Sequence, residues 1–212
     1  MTGAGDGLVV RDVTVRAVVV PLRRPLATRV GDFPRWPLLL IDVSTEQGIT
    51  GRGYLAPYLD RAAAALLPAI RDLGAGLRGR PAAPATLSGQ ARGWFGLAGY
   101  QGLALAAVAG IDIALWDVLA QAAGLPLARL LGGTMEPVPA YNSNGLGLIP
   151  PAGAGDEALE LIAEGGFTAS MSSAADGRPT RTFKAVNPPS ASSSTASSPA
   201  RAGGMSPSPL LL

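Results

Sequence analysis

The side chains that most often perform chemistry in enzymes are scarce in this sequence of 212 residues. It contains no histidine and no cysteine, and its 17 basic residues are 16 arginines and a single lysine, Lys184. A histidine acid–base pair, a cysteine nucleophile and a thiolate metal site are therefore excluded from these residues. The 15 acidic residues end at Asp176. Carboxylates and one lysine are what remains for acid–base or metal chemistry.

Two motifs could suggest a site near the middle of the sequence. Asp112 and Asp117 form a candidate acidic pair, but a separation of five residues places two side chains about 140° apart around an α-helix. We expect each to pair with an arginine or a backbone amide and assign neither to catalysis. Gly93-x-x-Gly96-x-x-Gly99 has no strand before it and no lysine directly after it, so it does not predict a phosphate-binding loop.

Charge and hydropathy restrict the partners of the protein. The net charge is +2, but residues 1–170 carry 13 basic and 14 acidic groups, a net of −1, and the positive excess lies in residues 171–212. Without a basic, aromatic stripe in the folded part, we expect no nucleic-acid partner. The 19 uncharged residues Gly93–Ile111 reach the length of a membrane span, but five glycines interrupt them and Asp112 follows. We expect a buried helix, no membrane span and a cytoplasmic location.

The elements that position these residues follow from the hydrophobic pattern. Three strands rich in β-branched residues are predicted at Val13–Val20, Leu38–Thr45 and Ile49–Tyr54. A short glycine-containing turn joins the last two as a hairpin, so we expect an antiparallel sheet. Residues 22–36 combine arginine, proline and glycine and are predicted as a long loop. Helical spacing predicts four helices at Asp60–Leu77, Pro84–Phe95, Tyr100–Ala123 and Leu127–Leu131.

A different pattern begins after residue 134. A short strand at Val138–Tyr141, a helix at Asp156–Glu164 and a strand starting at Phe167 predict the opening of a parallel α/β repeat over residues 135–170. Residues 171–212 contain 10 serines and 6 prolines. Such a segment buries too little apolar surface to offset the entropy of ordering, so we predict a disordered tail.

Five stretches carry the pattern of a known family. They are Pro21–Asp42 (PLRRPLATRVGDFPRWPLLLID), Gly48–Tyr58 (GITGRGYLAPY), Leu97–Tyr100 (LAGY), Ala109–Gly133 (AGIDIALWDVLAQAAGLPLARLLGG) and Pro139–Ser143 (PAYNS). On these residues, the chain resembles the mandelate racemase/muconate lactonizing enzyme branch of the enolase superfamily from about residue 13 to residue 169. The resemblance implies an α+β capping domain over residues 1–134, made of a three-stranded antiparallel sheet followed by helices. The start of an incomplete α/β barrel would then occupy residues 135–170.

The resemblance also implies a reaction and its substrate contacts. In this family a base removes the proton next to a carboxylate and Mg²⁺ stabilises the enediolate, so a hydroxy acid or sugar acid is racemised or dehydrated. Leu26, Val30 and Phe33 match the apolar lining of the specificity loop, Tyr54 matches a loop aromatic that faces substrate, and Ser143 matches the end of the first barrel strand. The alternative explanation is ordinary packing for the first four residues and a turn for Ser143.

The catalytic groups of the family are missing from their matching positions. The family carries a Lys-x-Lys pair after a Gly-Phe-x-Ala stretch and three acidic metal ligands on the following strands. Here residues 166–169 (GFTA) are followed by Met171 and Ser173 at the lysine positions, and no carboxylate follows Asp176. We therefore predict no catalytic residue, no bound Mg²⁺ and no activity of the chain alone.

The abrupt change of composition near residue 169 has two explanations. One is out-of-frame reading of an enzyme gene, because a GC-rich coding sequence read out of frame yields serine, proline, alanine and arginine. The break also falls inside a predicted strand, whereas natural boundaries fall in linkers. The alternative is a natural protein with a disordered tail, whose capping domain is a non-catalytic oligomerisation or binding module. A homo-oligomer is then the expected partner.

Overall fold

The computed structural model describes residues 7–136, 140, 142, 151–165, 169–172 and 181–184. These residues fall into two units. The first holds the described residues up to Val20 together with Trp36–Glu136, and the second holds Pro21–Arg35 with the described residues from 140 to 184. Each unit is considered by itself.

The first three strands of the chain form one sheet. β1 (Val10–Thr28), β2 (Gly31–Thr45) and β3 (Thr50–Leu55) are hydrogen-bonded in that order. β2 and β3 are antiparallel, with Leu40 opposite Tyr54. Side chains alternate between the two faces of a strand, and in the second half of β2 one face is completely buried. It consists of Leu39, Ile41 and Val43, each with 0% exposure.

The predicted long loop at residues 22–36 is wrong, because these residues form the end of the β1–β2 hairpin. β1 continues to Thr28 and β2 begins at Gly31, so two residues connect them. Prolines in both strands suggested a loop: Pro21, Pro25, Pro34 and Pro37. Proline has no N–H to donate and is tolerated where one edge of a strand is unpaired. β1 is an edge strand, and β2 pairs with β3 only from Leu39 onward.

Four helices follow the sheet in the described part of the first unit. They are α1 (Asp60–Leu77), α2 (Pro84–Trp94), α3 (Leu103–Ala123) and α4 (Leu127–Leu130). Each lies at its predicted place, with differences at the ends only. α3 ends as predicted at Gly124, which adopts the left-handed conformation with φ of 64°, and the N–H of Leu125 donates to the carbonyl of Ala120. The predicted α+β capping domain is confirmed.

α3 is the central helix of this unit. By length and composition alone it could cross a membrane. In the structure it packs on β3, α1 and α2, and Ile111, Leu115 and Val118 have at most 1% exposure. This packing accounts for the apolar residues on the buried face of α3, as expected for a core helix. The exclusion of a membrane partner stays a prediction.

Glycines allow α3 to lie very close to β3. A Cβ atom on Gly51 would overlap the carbonyl oxygen of Ala114, and one on Gly53 would lie 2.8 Å from the carbonyl oxygen of Gly110. A Cβ on Gly110 would meet the Cδ1 of Ile41 at 2.5 Å. At Gly51 and Gly53 the nearest atoms belong to the backbone of α3 and cannot rotate away, whereas at Gly110 they belong to the side chains of Ile41 and Leu55. The Gly-x-Gly of β3 is therefore a packing requirement of the sheet–helix contact.

The second unit contains the hairpin end, one helix and two short strands among its described residues. α5 spans Pro151–Gly165 and begins before the predicted Asp156, and β4 (Ala169–Ser172) occupies the predicted second strand. β4 pairs antiparallel with β5 (Arg181–Lys184), a strand that the sequence did not predict. The predicted parallel repeat would pair the strand at Val138–Tyr141 with β4, and it stays a prediction. Most of the predicted strand Val138–Tyr141 lies outside the described residues.

The predicted disordered tail also differs from the structure at six residues. Met171, Ser172 and Arg181–Lys184 belong to strands. β5 contains a threonine and a phenylalanine, which favour strands, and the serine and proline content of the whole segment concealed this short run. The remaining residues of 173–212 lie outside the described part, and their disorder stays a prediction.

Candidate functional site

Three of the predicted substrate contacts lie at the end of the β1–β2 hairpin. Leu26 on β1 and Phe33 on β2 are half-buried, whereas Val30, in the turn, is 88% exposed. Thr28 fixes this turn: its Oγ1 donates to the Gly31 carbonyl at 2.8 Å and accepts from the Val30 N–H at 3.2 Å. An ordered turn thus presents an apolar side chain to the solvent, where a ligand could cover it.

Tyr54 lies in the first unit, on the sheet face opposite the helices. It is 63% exposed, so burial in a core does not account for it. The segment after β3 carries a feature that sequence reasoning missed. Tyr58 has φ of 64°, the one positive value for a non-glycine residue in the described part of the chain, and it contacts Trp36 edge-on with ring centroids 5.0 Å apart. Such strain is concentrated at functional sites, which makes Tyr58 a further candidate.

The end of the first predicted barrel strand is described at one residue. Asn142 is buried, with 8% exposure, and its Nδ2 donates to the carbonyl oxygen of Leu161 on α5 at 2.9 Å. This bond gives Asn142 a structural role within the second unit. Ser143 lies outside the described residues, so its predicted contact with substrate stays a prediction.

Asp117 links α3 to β3. Its Oδ2 accepts a hydrogen bond from the Arg52 backbone N–H at 2.8 Å and another from Gln121 Nε2 at 2.8 Å. Gln121 Nε2 also donates to the Thr50 carbonyl at 2.9 Å. The predicted pairing of Asp117 with a backbone amide is confirmed. Its carboxylate therefore has a structural role, linking α3 to β3.

Asp112 links α3 to α2. Its Oδ1 accepts from Ser88 Oγ at 3.1 Å, and its carboxylate also accepts from the Trp116 side chain. Burial raises the pKa of Asp112, and the two hydrogen bonds partly oppose that rise. A raised pKa can mark a catalytic acid, but the donors here come from the helices themselves. We therefore interpret Asp112 as a structural residue.

The described acidic residues do not fit the Mg²⁺ site that the resemblance implies. No group of three or more histidine, cysteine, aspartate or glutamate side chains that could hold a metal occurs among the described residues. Instead, carboxylates are paired with arginines. Asp12 contacts Arg78 at 2.7 Å, and Asp42 contacts Arg16 at 3.5 Å and Arg52 at 3.8 Å. Hard cations such as Mg²⁺ require several converging oxygen ligands.

Comparison with known proteins identifies the family. Residues 10–132 match the sequence model of the mandelate racemase/muconate lactonizing enzyme N-terminal domain. The chain belongs to this family. The matched range begins with β1 and ends just after α4, so it covers the sheet and helices described above.

Two solved structures and one curated relative illustrate the similarity. An enolase from alphaproteobacterium BAL199 with bound Mg is 48% identical, with a TM-score of 0.72 over 74% of this chain and 44% of that one. An enolase from Bradyrhizobium with magnesium and mandelic acid is 39% identical, with a TM-score of 0.68 over 77% and 45%. D-galactonate dehydratase of Xanthomonas campestris pv. campestris is 35% identical over 105 residues, 49% of this chain and 26% of that protein.

Of these three relatives, two are enolases with bound magnesium, one of them also with mandelic acid, and the third is a D-galactonate dehydratase. They support Mg²⁺ as the metal of the parent family. The chain spans less than half the length of the two solved relatives and about a quarter of the dehydratase.

Proposed function

We propose that this chain supplies the capping part of an Mg²⁺-dependent enzyme that removes the proton next to a carboxylate. Its class is a sugar-acid dehydratase or a hydroxy-acid racemase, as in the relatives. The observation that carries the proposal is the ordered hairpin turn, which exposes Val30 next to the half-buried Leu26 and Phe33. These three residues, with Tyr54 and Ser143, are the proposed substrate contacts. A cytoplasmic location without nucleic-acid or membrane partners belongs to the same proposal.

The second part of the proposal is that the chain alone is inactive. Removing a proton next to a carboxylate needs a base of suitable pKa and a group that stabilises the developing charge. Met171 on β4 occupies one of the two positions where the family has lysine, Ser173 occupies the other, and no carboxylate follows Asp176. The paired carboxylates of the described residues supply no substitute.

Reading the coding DNA tests the out-of-frame origin of this loss. Codons 165–212 should be sequenced and translated in all three frames. We expect one frame to give Lys-x-Lys near codon 171, followed by further acidic residues. If no frame does so, the segment is native and the out-of-frame explanation is wrong.

A second candidate function is an oligomerisation or binding module. It is favoured by apolar side chains that α3 leaves exposed, Leu105 at 43% and Ile113 at 46%. Light scattering over a concentration series tests it. Saturable dimer formation that a Leu105→Ser, Ile113→Ser double variant abolishes would support the module. Heterogeneous aggregates, or a monomer at every concentration, would contradict it.

A further inference from the structure

Two arginines of the hairpin contact two glutamates of α5 in the second unit. Arg24 Nη1 lies 2.8 Å from Glu164 Oε2, and Arg24 Nη2 lies 3.4 Å from Glu160 Oε2. Arg23 Nη1 adds a longer contact of 3.9 Å to Glu164 Oε1. We call these four residues the clasp. It joins the strand that carries Leu26 to a helix more than 130 residues later in the sequence.

The charges of the two segments are complementary. Residues 21–35 contain four arginines and one aspartate, whereas α5 contains four acidic residues and no basic residue. Glu160 and Glu164 are four residues apart, so they share a helix face and repel each other. Both lie in the second half of α5, towards the negative end of the helix dipole. Positive charge from another segment therefore stabilises this helix. The guanidinium of Arg24 supplies that charge, because its two terminal nitrogens contact both glutamates.

Arg24 is the central member of the clasp. Its side chain is 29% exposed and that of Glu164 is 36% exposed, whereas Arg23 is 91% exposed. The hydrogen bond to Glu164 raises the pKa of Arg24 above its ordinary value, so the guanidinium stays charged. α5 is also held by Leu161, which is fully buried, and by the hydrogen bond from Asn142 to the Leu161 carbonyl. The clasp thus connects the hairpin to a packed helix.

The position of Arg24 on β1 connects the clasp to the candidate site. Leu22, Arg24 and Leu26 are half-buried, whereas the residues between them, Arg23 and Pro25, are exposed. Alternate residues of a strand share one face, so Arg24 and Leu26 lie on the same face of β1. Holding the Arg24 side chain therefore fixes the orientation in which this strand presents Leu26.

We propose that Arg24 is a positioning residue, and that its ion pairs with Glu160 and Glu164 hold the hairpin end in one arrangement that loosens as ionic strength rises. The substrate-facing role of Leu26, Val30 and Phe33 rests on the proposed function, whereas the clasp itself does not. Because its members are partly exposed, salt screens their attraction.

Hydrogen–deuterium exchange of the full chain, read by mass spectrometry, tests the proposal. Peptides covering residues 21–35 are compared in wild type and Arg24→Gln at 50 and 500 mM NaCl (roughly a threefold change in screening length). We expect exchange of this segment to be about fivefold faster in Arg24→Gln at low salt, the change that corresponds to a small ion-pair network. High salt should accelerate the wild type towards the variant and leave the variant unchanged.

Three further variants separate the clasp from other effects. Arg29→Gln is the matched control, because it removes the same charge from the same hairpin. Arg29 is an exposed turn residue for which no ion pair occurs among the described residues. This variant should exchange like wild type. Arg24→Lys keeps the charge without the fork and should restore protection in part. Glu164→Gln removes the shorter Arg24 contact and leaves the one to Glu160, so its exchange should lie between wild type and Arg24→Gln, and the double variant should exchange like Arg24→Gln.

Equal exchange of residues 21–35 in Arg24→Gln and Arg29→Gln would contradict the proposed role of Arg24. Salt-independent exchange of this segment in the wild type would contradict it too. Unchanged exchange at residues 36–55 shows that each variant is folded. The measurement uses neither substrate nor turnover, so its outcome is independent of whether the proposed function is correct.

Discussion

At the scale of the residue, the family motif in α3 organises packing. Ile111 and Ala114 are completely buried, and a Cβ on Gly110 would lie 2.5 Å from the Cδ1 of Ile41. The two aspartates of the motif accept hydrogen bonds that join α3 to α2 and to β3. A carboxylate on an otherwise apolar helix is thus explained by donors from neighbouring elements. The motif identifies the family because it specifies how the domain packs.

Asp112 gives a prediction at this scale. Burial raises its pKa in the folded state, so the folded protein binds a proton at pH values where the unfolded chain has lost it. Stability falls with rising pH wherever the folded state holds more protons. The contribution of Asp112 is therefore full below its unfolded pKa, near 3.8, and is lost as pH rises through the raised value. Asparagine does not titrate, so Asp112→Asn should gain stability relative to wild type over that rise.

Urea unfolding at pH 4 to 7 measures this difference. We expect a relative gain below about 1 kcal/mol, since the carboxyl is only partly buried and water screens it. Asp12→Asn is the matched control, because Asp12 is an aspartate in a surface ion pair with Arg78, and it should show no such gain. A constant difference between Asp112→Asn and wild type at every pH would show that burial of Asp112 does not set its pKa.

At the scale of the element, the four helices of the first unit were predictable and the hairpin end was not. α1 and α3 each show an apolar periodicity that burial against the sheet requires, and Gly124 marks the end of α3. The hairpin end lacks such a signal, because prolines and arginines interrupt its apolar residues. Its strand pairing depends on an unpaired edge and on the Thr28 turn, which local composition does not reveal. Leu26 was therefore predicted to lie in a loop, whereas it lies on β1.

The contact between β3 and α3 gives a second prediction. Gly51→Ala places a Cβ against backbone atoms of Ala114 and Val118, which cannot rotate away. We expect a loss of about 3 kcal/mol or more in the free energy of unfolding, at the upper end for an overpacked core. Gly76→Ala on α1 is the control, because a Cβ there meets nothing within 4 Å, and it should stabilise by about 0.4–1 kcal/mol. Similar urea midpoints for the two variants would contradict the close approach of α3 to β3.

For the whole molecule, the described residues form the capping fold, and we propose that the chain lacks the groups that perform the family's reaction. The match over residues 10–132 includes every helix that packs on the three-stranded sheet. The base and the metal ligands belong to segments whose matching positions here carry Met171, Ser173 and no carboxylate after Asp176. The sequence alone could predict this loss, because it depends on residue types. It could not predict the antiparallel pairing of β4 with β5, which depends on a connection of eight residues.

We propose that the chain supplies the capping part of an enzyme and does not itself perform the reaction. Proton NMR in D₂O tests it with the full chain, MgCl₂ and either mandelate or D-galactonate, and with EDTA in a parallel sample. We expect the signal of the proton next to the carboxylate to persist equally in both samples. The contradicting result is a loss of that signal that grows with protein concentration and is abolished by EDTA. It would show that the chain binds Mg²⁺ and supplies a base, so the proposed inactivity would be wrong.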